Sequence, residues 1–211
     1  MHLQVWICFS PVAHETQQFY KVKALVVDFL SLSFMAASIP FGPVASWLLD
    51  THGLFKSVLL AAALNCLGGW LRYVSTYWGG LGLLFTGQII AAAAQPVILD
   101  CPTMLAGTWF GENERAVANM VASVSNPVGI ALGSFFPPML VSSASASDFQ
   151  NLYMFFALPA TVALCLVTLF FQDKPPHPPS LSASDKTSKH DGFVVSCEST
   201  SRGLEHGWSF S

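Results

Sequence analysis

The chain alternates between long, uncharged apolar runs and short polar connections. A helix needs about 20 mostly apolar residues to cross a bilayer, whereas a barrel strand needs about 10 of alternating polarity. The uncharged runs have the lengths of helices and do not alternate, and they cover 29–49, 57–71, 73–99, 116–147 and 149–172. This pattern predicts an all-α fold, a polytopic membrane bundle. We expect its helices at about 25–48, 57–75, 81–103, 117–141 and 151–171.

The segment 3–20 is less regular. Its apolar part, 3–13, is too short to span a bilayer, and His14 and Glu15 follow it directly. A secretory signal would need a basic start and a cleavage site, and the segment shows neither convincingly. We therefore interpret 3–20 as the later half of an incomplete first helix, which gives about six transmembrane helices in a bundle domain at 1–172.

The composition changes abruptly after Asp173 to Pro, Ser, Lys and His. Such a stretch cannot bury a hydrophobic core. We expect 173–211 to be a disordered cytoplasmic tail.

Basic residues near helix ends predict the orientation. Lys56, Arg115 and three tail lysines fall on one side of the predicted bundle, and Lys21, Lys23 and Arg72 on the other. Because cytoplasmic loops carry the excess of Lys and Arg, the first side is predicted to be cytoplasmic.

Composition supports a membrane protein and excludes other classes. Hydrophobic residues make up 53% of the 211 positions and charged residues 10%, against about 25% charged in soluble domains. Nine Lys and Arg with a net charge of −3 provide no basic patch for nucleic acid. The five cysteines form no CxxC pair and are interpreted as buried apolar residues. No catalytic or metal-binding constellation is present, so we expect no enzyme activity, no metal and no cofactor.

Polar groups inside the apolar runs are candidates for a site, because they are costly in lipid. Glu15 either faces a central cavity as a cation-binding or protonatable group, or lies solvated at a helix end. Asp28 is close to Lys23, which favours an interfacial pair. Asp100 caps a helix or takes part in transport. Gln88, Gln95 and Asn126 are uncharged candidates.

Proline residues suggest interruptions in three places. Pro40 and Pro43 fall in the second predicted helix, Pro127 in the fifth and Pro137 near its far end. Proline removes a backbone hydrogen bond, and transporters use such interruptions at substrate sites. The alternative is ordinary kinks, which are common in membrane helices.

Two predicted connections on one side carry the most specific signals. Asp50 and Gly53 form a tight turn that ends at Lys56. The connection at 109–115 is similar, since it also contains glycine and charged residues, among them Glu114 and Arg115. Negative charge is favoured at a helix N-terminus, so Asp50 could latch one conformation there.

The Asp50-x-x-Gly53 turn resembles the signature loop of the major facilitator superfamily. More closely, ASWLLDTHGL at 45–54 resembles the feline leukaemia virus subgroup C receptor-related transporters, solute carrier family 49. So do Gln88 and Gln95-Pro96, WFGENERA at 109–116 and NPVG at 126–129. The triplet at 125–127 is closest to the less characterised third branch. The resemblance covers about 6–171.

This resemblance implies twelve helices in two six-helix halves, with alternating access around a central site. It also implies choline, ethanolamine or haem as cargo. Trp6 corresponds to the family tryptophan that packs on a quaternary ammonium, and the alternative for Trp6 is an interfacial anchor. Pro127 stands where choline-handling relatives carry a Gln, so one amide ligand is missing.

The sequence therefore predicts the N-terminal half of a transporter for a small organic solute. The expected substrate-binding residues are Trp6, Glu15, Gln95 and Asn126, and the expected gating residues are Asp50, Gly53, Glu114 and Arg115. The expected partners are the lipid bilayer, the solute, and a second half or a full-length carrier chain. The plasma membrane is the default location. The alternative is a truncated, non-transporting isoform that binds and modulates a full-length carrier.

Overall fold

The computed structural model describes residues 9–78 and 80–171. That part of the chain contains helices and no strand, which confirms the predicted all-α class. The helices are α1 (Ala13–Tyr20), α2 (Ala24–Trp78), α3 (Leu81–Trp109), α4 (Glu112–Phe135), α5 (Pro137–Leu140) and α6 (Ala146–Phe170). Trp6 and the tail predicted at 173–211 lie outside the described residues.

Helix α2 reverses direction at Gly53, the residue where it leaves helical geometry, with φ 82° and ψ 173°. The Ser57 hydroxyl donates to the carbonyl of Leu48 at 3.1 Å, although nine residues of straight helix would separate these positions by about 13 Å. The two halves of α2, 24–52 and 54–78, therefore run back alongside each other. The connection expected at 50–56 is helical apart from Gly53. The carbonyl of Gly53 shares the single hydroxyl hydrogen of Ser57 and is the nearer of the two acceptors, at 2.7 Å.

The prolines interrupt the helices at fewer places than the sequence suggests. Pro40 and Pro43 lie inside α2 and Pro127 inside α4, and the helices continue through them. Neighbouring groups and local adjustments can satisfy the freed backbone carbonyls in a membrane helix. The interruption expected at Pro137 does occur, since α4 ends at Phe135 and Pro137 begins α5.

The helix order defines two ends of the bundle. The Gly53 end contains Gly53, the α3–α4 connection and Phe170. The Tyr20 end contains the α1–α2, α2–α3 and α5–α6 connections.

Separate apolar clusters hold the bundle at its two ends. Toward the Tyr20 end, Phe9 and Val12 pack with α2, α3 and α6 residues such as Leu30, Leu84 and Phe149. Toward the Gly53 end, the two halves of α2 pack with α3 through Ala45, Leu49, Leu54, Ala61, Ala94 and Val97. Both clusters join α2 to α3, so these two helices form the centre of the fold.

Within the described ranges, α2, α3, the α4–α5 segment 112–140 and α6 are long and apolar enough to cross a membrane. Helix α2 is long enough for two crossings, and its turn at Gly53 divides it into two segments of spanning length. Large apolar side chains such as Phe29, Trp47 and Leu169 are exposed on the outside of the bundle. An aqueous surface would not tolerate them in such density, whereas lipid does. The protein is an integral membrane protein.

Candidate functional site

A cavity of about 360 Å³ lies between α2, α3, α4 and α6. It is closer to the Gly53 end, since Val58, Leu105 and Val167 line it and lie near the ends of their helices there. The cavity reaches the surface beside Pro159, which is exposed. It is therefore a partly open cavity.

Among the residues that the structure describes, the lining of the cavity is mostly apolar and includes no charged side chain. Its polar members are Asn65 from α2, Cys101 from α3 and Ser125 from α4, and Phe156 contributes an aromatic ring. Pockets for small molecules commonly combine an apolar wall with a few polar groups that fix orientation. The cavity fits that description for a small solute.

Two of the expected binding residues do not line the cavity, but each has a lining residue nearby on its own helix. Gln95 is 5% exposed and precedes the lining residue Pro102 by seven positions, which places both on nearly the same face of α3. Asn126 is half-buried and lies one turn beyond the lining residue Ala122 on α4. The spacing places both residues near the cavity wall along their helices, and neither is among the lining residues.

The other two expected binding residues are elsewhere. Glu15 is half-buried in the first turn of α1 and does not line the cavity. Trp6 falls outside the described residues.

The four expected gating residues all lie at the Gly53 end. Asp50 is exposed, three residues before the buried Gly53. Glu114 is exposed in the first turn of α4, where a negative charge complements the helix dipole. Arg115 is half-buried and donates to the carbonyl of Gly107 at 3.3 Å. Arg115 thus connects the start of α4 to the last turn of α3.

A buried cation lies toward the opposite end. Arg72 is 1% exposed, and its guanidinium carbon is 4.9 Å from the Phe9 ring centroid and 5.4 Å from that of Tyr153. The Tyr20 hydroxyl lies 3.2 Å from Ser75 Oγ and 3.3 Å from the Tyr153 hydroxyl. These contacts attach α1 to α2 and α6. Arg72 is therefore a core residue and not one of the loop cations counted for orientation.

Sequence reasoning missed the roles of Arg72 and Asn65. Arg72 is the one charged residue between 57 and 99, and an isolated charge inside a membrane run is itself a signal of an interior position. Asn65 stands among Ala, Leu and Cys with no neighbouring polar residue, so only the fold reveals that it faces a cavity.

The described ranges also hold no group of three or more His, Cys, Asp and Glu side chains that could bind a metal ion. The polar groups near the cavity are amides, a thiol and a hydroxyl. These groups suit hydrogen bonding to an organic molecule that is neutral or only weakly hydrated in water.

Comparison with known proteins identifies the group to which these features point. The sequence model of the Major Facilitator Superfamily matches residues 2–208. Solute carrier family 49 member A3 from Xenopus tropicalis is 39% identical over 194 residues, which cover 88% of this chain and 40% of that protein. The human choline/ethanolamine transporter FLVCR2 is 36% identical over 184 residues, covering 85% of this chain and 35% of the relative. An uncharacterized MFS-type transporter of Caenorhabditis elegans, C09D4.1, is 39% identical over 181 residues and is covered to 31%. The chain thus spans between about a third and two fifths of the length of these relatives.

Proposed function

We propose, from the premise that this chain belongs to the major facilitator superfamily, that it moves a small organic solute across a membrane by alternating access. The observation that carries the proposal is the cavity of about 360 Å³ between α2, α3, α4 and α6. A partly open cavity with an apolar wall and a few polar groups is what a carrier needs to hold a solute during the change of access.

The solute class we propose is choline or ethanolamine. Relatives at 34–36% identity are named choline/ethanolamine transporters. We propose Gln95 and Asn126, whose helices α3 and α4 both contribute to the cavity wall, as solute-binding residues, with Trp6 and Glu15 as further candidates. Haem is the weaker candidate, because its two carboxylates need cationic partners and the described lining residues include none.

We also propose that the Gly53 end contains the gate. Gly53 is the point at which α2 leaves helical geometry, and a backbone with a sharp turn can act as a hinge. Arg115 holds the start of α4 against α3. Asp50 and Glu114 are exposed beside them, so both can form new contacts when the gate closes. On the basis of the lysine and arginine count, this end faces the cytoplasm, and the plasma membrane is the default location.

The test is uptake of radiolabelled choline and ethanolamine into liposomes that contain the purified chain. Time-dependent accumulation above that of protein-free liposomes supports transport by this chain alone. Absence of both uptake and binding of either solute would contradict the proposed solute class.

We keep the alternative function that the sequence left open. In that alternative, the chain binds a full-length carrier and modulates it without transporting by itself. Co-reconstitution separates the two functions. Activity that appears only with a full-length partner, or a change in that partner's uptake, supports the alternative.

A further inference from the structure

Asn65 is an amide within an otherwise apolar stretch of the cavity wall. It lies in the second half of α2, and its side chain lines the cavity. Its Oδ1 atom is shielded from solvent and accepts no hydrogen bond from any group in residues 9–78 and 80–171. An amide left with an unpaired oxygen in an apolar interior is costly, and a rotation of the amide would turn either its oxygen or its nitrogen toward the cavity.

The remaining polar lining offers little to a ligand with several donors. The Ser125 hydroxyl donates to the carbonyl of Ala122 at 2.6 Å, so only its oxygen lone pairs remain for a ligand. Cys101 is a weak hydrogen-bonding group. Alanine, proline and branched aliphatic side chains form most of the rest of the wall.

We infer that Asn65 recognises the hydroxyl group of a quaternary amino alcohol, an inference that rests on the proposed function. A hydroxyl group both donates and accepts, so it pairs with the Asn65 amide in either orientation. A quaternary ammonium has no N–H groups, and its methyl groups can therefore lie on the apolar wall without leaving donors unpaired. The buried ring of Phe156 adds an attractive surface for the cation.

The same chemistry ranks the two proposed solutes. The primary ammonium of ethanolamine carries three N–H donors, and the cavity wall offers few acceptors for them. Burial of unpaired donors is unfavourable. The cavity therefore favours choline over ethanolamine, and Asn65 is the residue that distinguishes choline from an analogue without the hydroxyl.

The experiment is a binding cycle between the side chain and the ligand. The full chain and its Asn65→Leu variant, which has a similar volume and no polar atoms, are purified in detergent. Their affinities for choline and for propyltrimethylammonium, in which a methyl group replaces the hydroxyl, are measured by calorimetry. We expect Asn65→Leu to weaken choline binding about 3- to 10-fold, as for one neutral hydrogen bond, and to leave propyltrimethylammonium binding unchanged.

A matched control uses Asn151→Leu, because Asn151 is exposed on α6 and does not line the cavity. This variant should bind both ligands as the unmodified chain does. If Asn65→Leu does not fold, the milder Asn65→Ala replaces it, and choline must still bind the unmodified chain more tightly than the analogue.

The outcomes separate the inference from the proposed function. Equal weakening of both ligands by Asn65→Leu, or tighter binding of ethanolamine than of choline, would overturn the inference while the transporter proposal stands. Failure of the unmodified chain to bind any of these amines would overturn the proposed solute class, and the inference with it.

Discussion

Gly68 and Gly87 bring α2 and α3 into backbone contact. A Cβ atom on Gly68 would lie 2.6 Å from the carbonyl oxygen of Gly87, and a Cβ on Gly87 would lie 2.8 Å from the carbonyl oxygen of Gly68. Both distances are too short for a real side chain, and the obstructing atoms belong to helix backbones that cannot move independently. Small residues at helix crossings permit this approach in membranes.

Alanine at either glycine should therefore force α2 and α3 apart. We expect Gly68→Ala and Gly87→Ala each to cost about 1–3 kcal/mol, as for other overpacking substitutions. The measurement is the thermal unfolding midpoint of the detergent-purified chain. Gly82→Ala is the matched control on α3, since a Cβ there meets nothing within 4 Å. Equal midpoints for all three variants would contradict the contact.

Gly53 has a backbone conformation that other residues rarely adopt. Its φ of 82° and ψ of 173° fall in a region populated almost only by glycine, and a side chain there costs about 1–3 kcal/mol. We expect Gly53→Ala to lower both the unfolding midpoint and solute uptake. Gly53→Asn should be no better, because asparagine tolerates the left-handed helical region at ψ near 47° and not this one.

The control for this position is Gly42→Ala, which lies in the same helix with no atom within 4 Å of the added Cβ. It should leave stability and uptake close to those of the unmodified chain. If Gly53→Asn keeps the stability and uptake that Gly53→Ala loses, the turn can adopt a left-handed helical geometry. That result would contradict the glycine-specific backbone conformation described above.

The class of the protein and its family followed from the sequence because they depend on composition and local motifs. Uncharged runs of helical length predicted the all-α bundle, and the structure confirms it. The loop motifs around Asp50 and Glu114 suggested the superfamily and solute carrier family 49, and the matched relatives confirm that resemblance.

The details that failed depend on contacts distant in sequence. The sequence suggests that Arg72 is a loop cation, because its partners are distant along the chain. Phe9 lies before α1, and Tyr153 lies on α6. The reversal of α2 at one residue depends on Ser57 reaching back to Leu48. The roles of Trp6, Glu15, Gln95 and Asn126 stay predictions, since residue type alone does not say which face of a helix meets a solute.

The contact of Arg72 with Tyr153 should be measurable as an energetic coupling. A guanidinium over an aromatic ring contributes about 0.5–2 kcal/mol, with the higher values in desolvated sites. We expect the destabilisation of the Arg72→Leu, Tyr153→Leu double variant to be smaller than the sum of the two single variants by an amount in that range. Unfolding free energies in detergent provide the measurement.

A distant cation serves as the comparison for this cycle. Arg115 lies at the Gly53 end, where it donates to Gly107, and shares no described contact with Tyr153. The effects of Arg115→Leu and Tyr153→Leu should therefore add within about 0.5 kcal/mol. Additivity in the Arg72 cycle as well would mean that the ring contact contributes no coupling.

Gln95 and Gln88 are both buried on α3 and lie two turns apart, which allows a matched test of the solute site. Gln88 donates to the carbonyl of Leu30 at 3.3 Å, a contact that joins α3 to α2. Neither glutamine lines the cavity, but Gln95 lies within one turn of the lining residue Ile98, whereas Gln88 lies almost three turns from it. We expect Gln95→Leu to weaken choline binding about 3- to 10-fold, as for one lost hydrogen bond, and Gln88→Leu to leave affinity unchanged.

Equilibrium binding to detergent-purified variants, after each has been shown to elute as a single folded species, makes the comparison. If Gln88→Leu weakens binding as much as Gln95→Leu, solute recognition extends along the whole face of α3 toward the Tyr20 end, and the cavity alone is not the binding site.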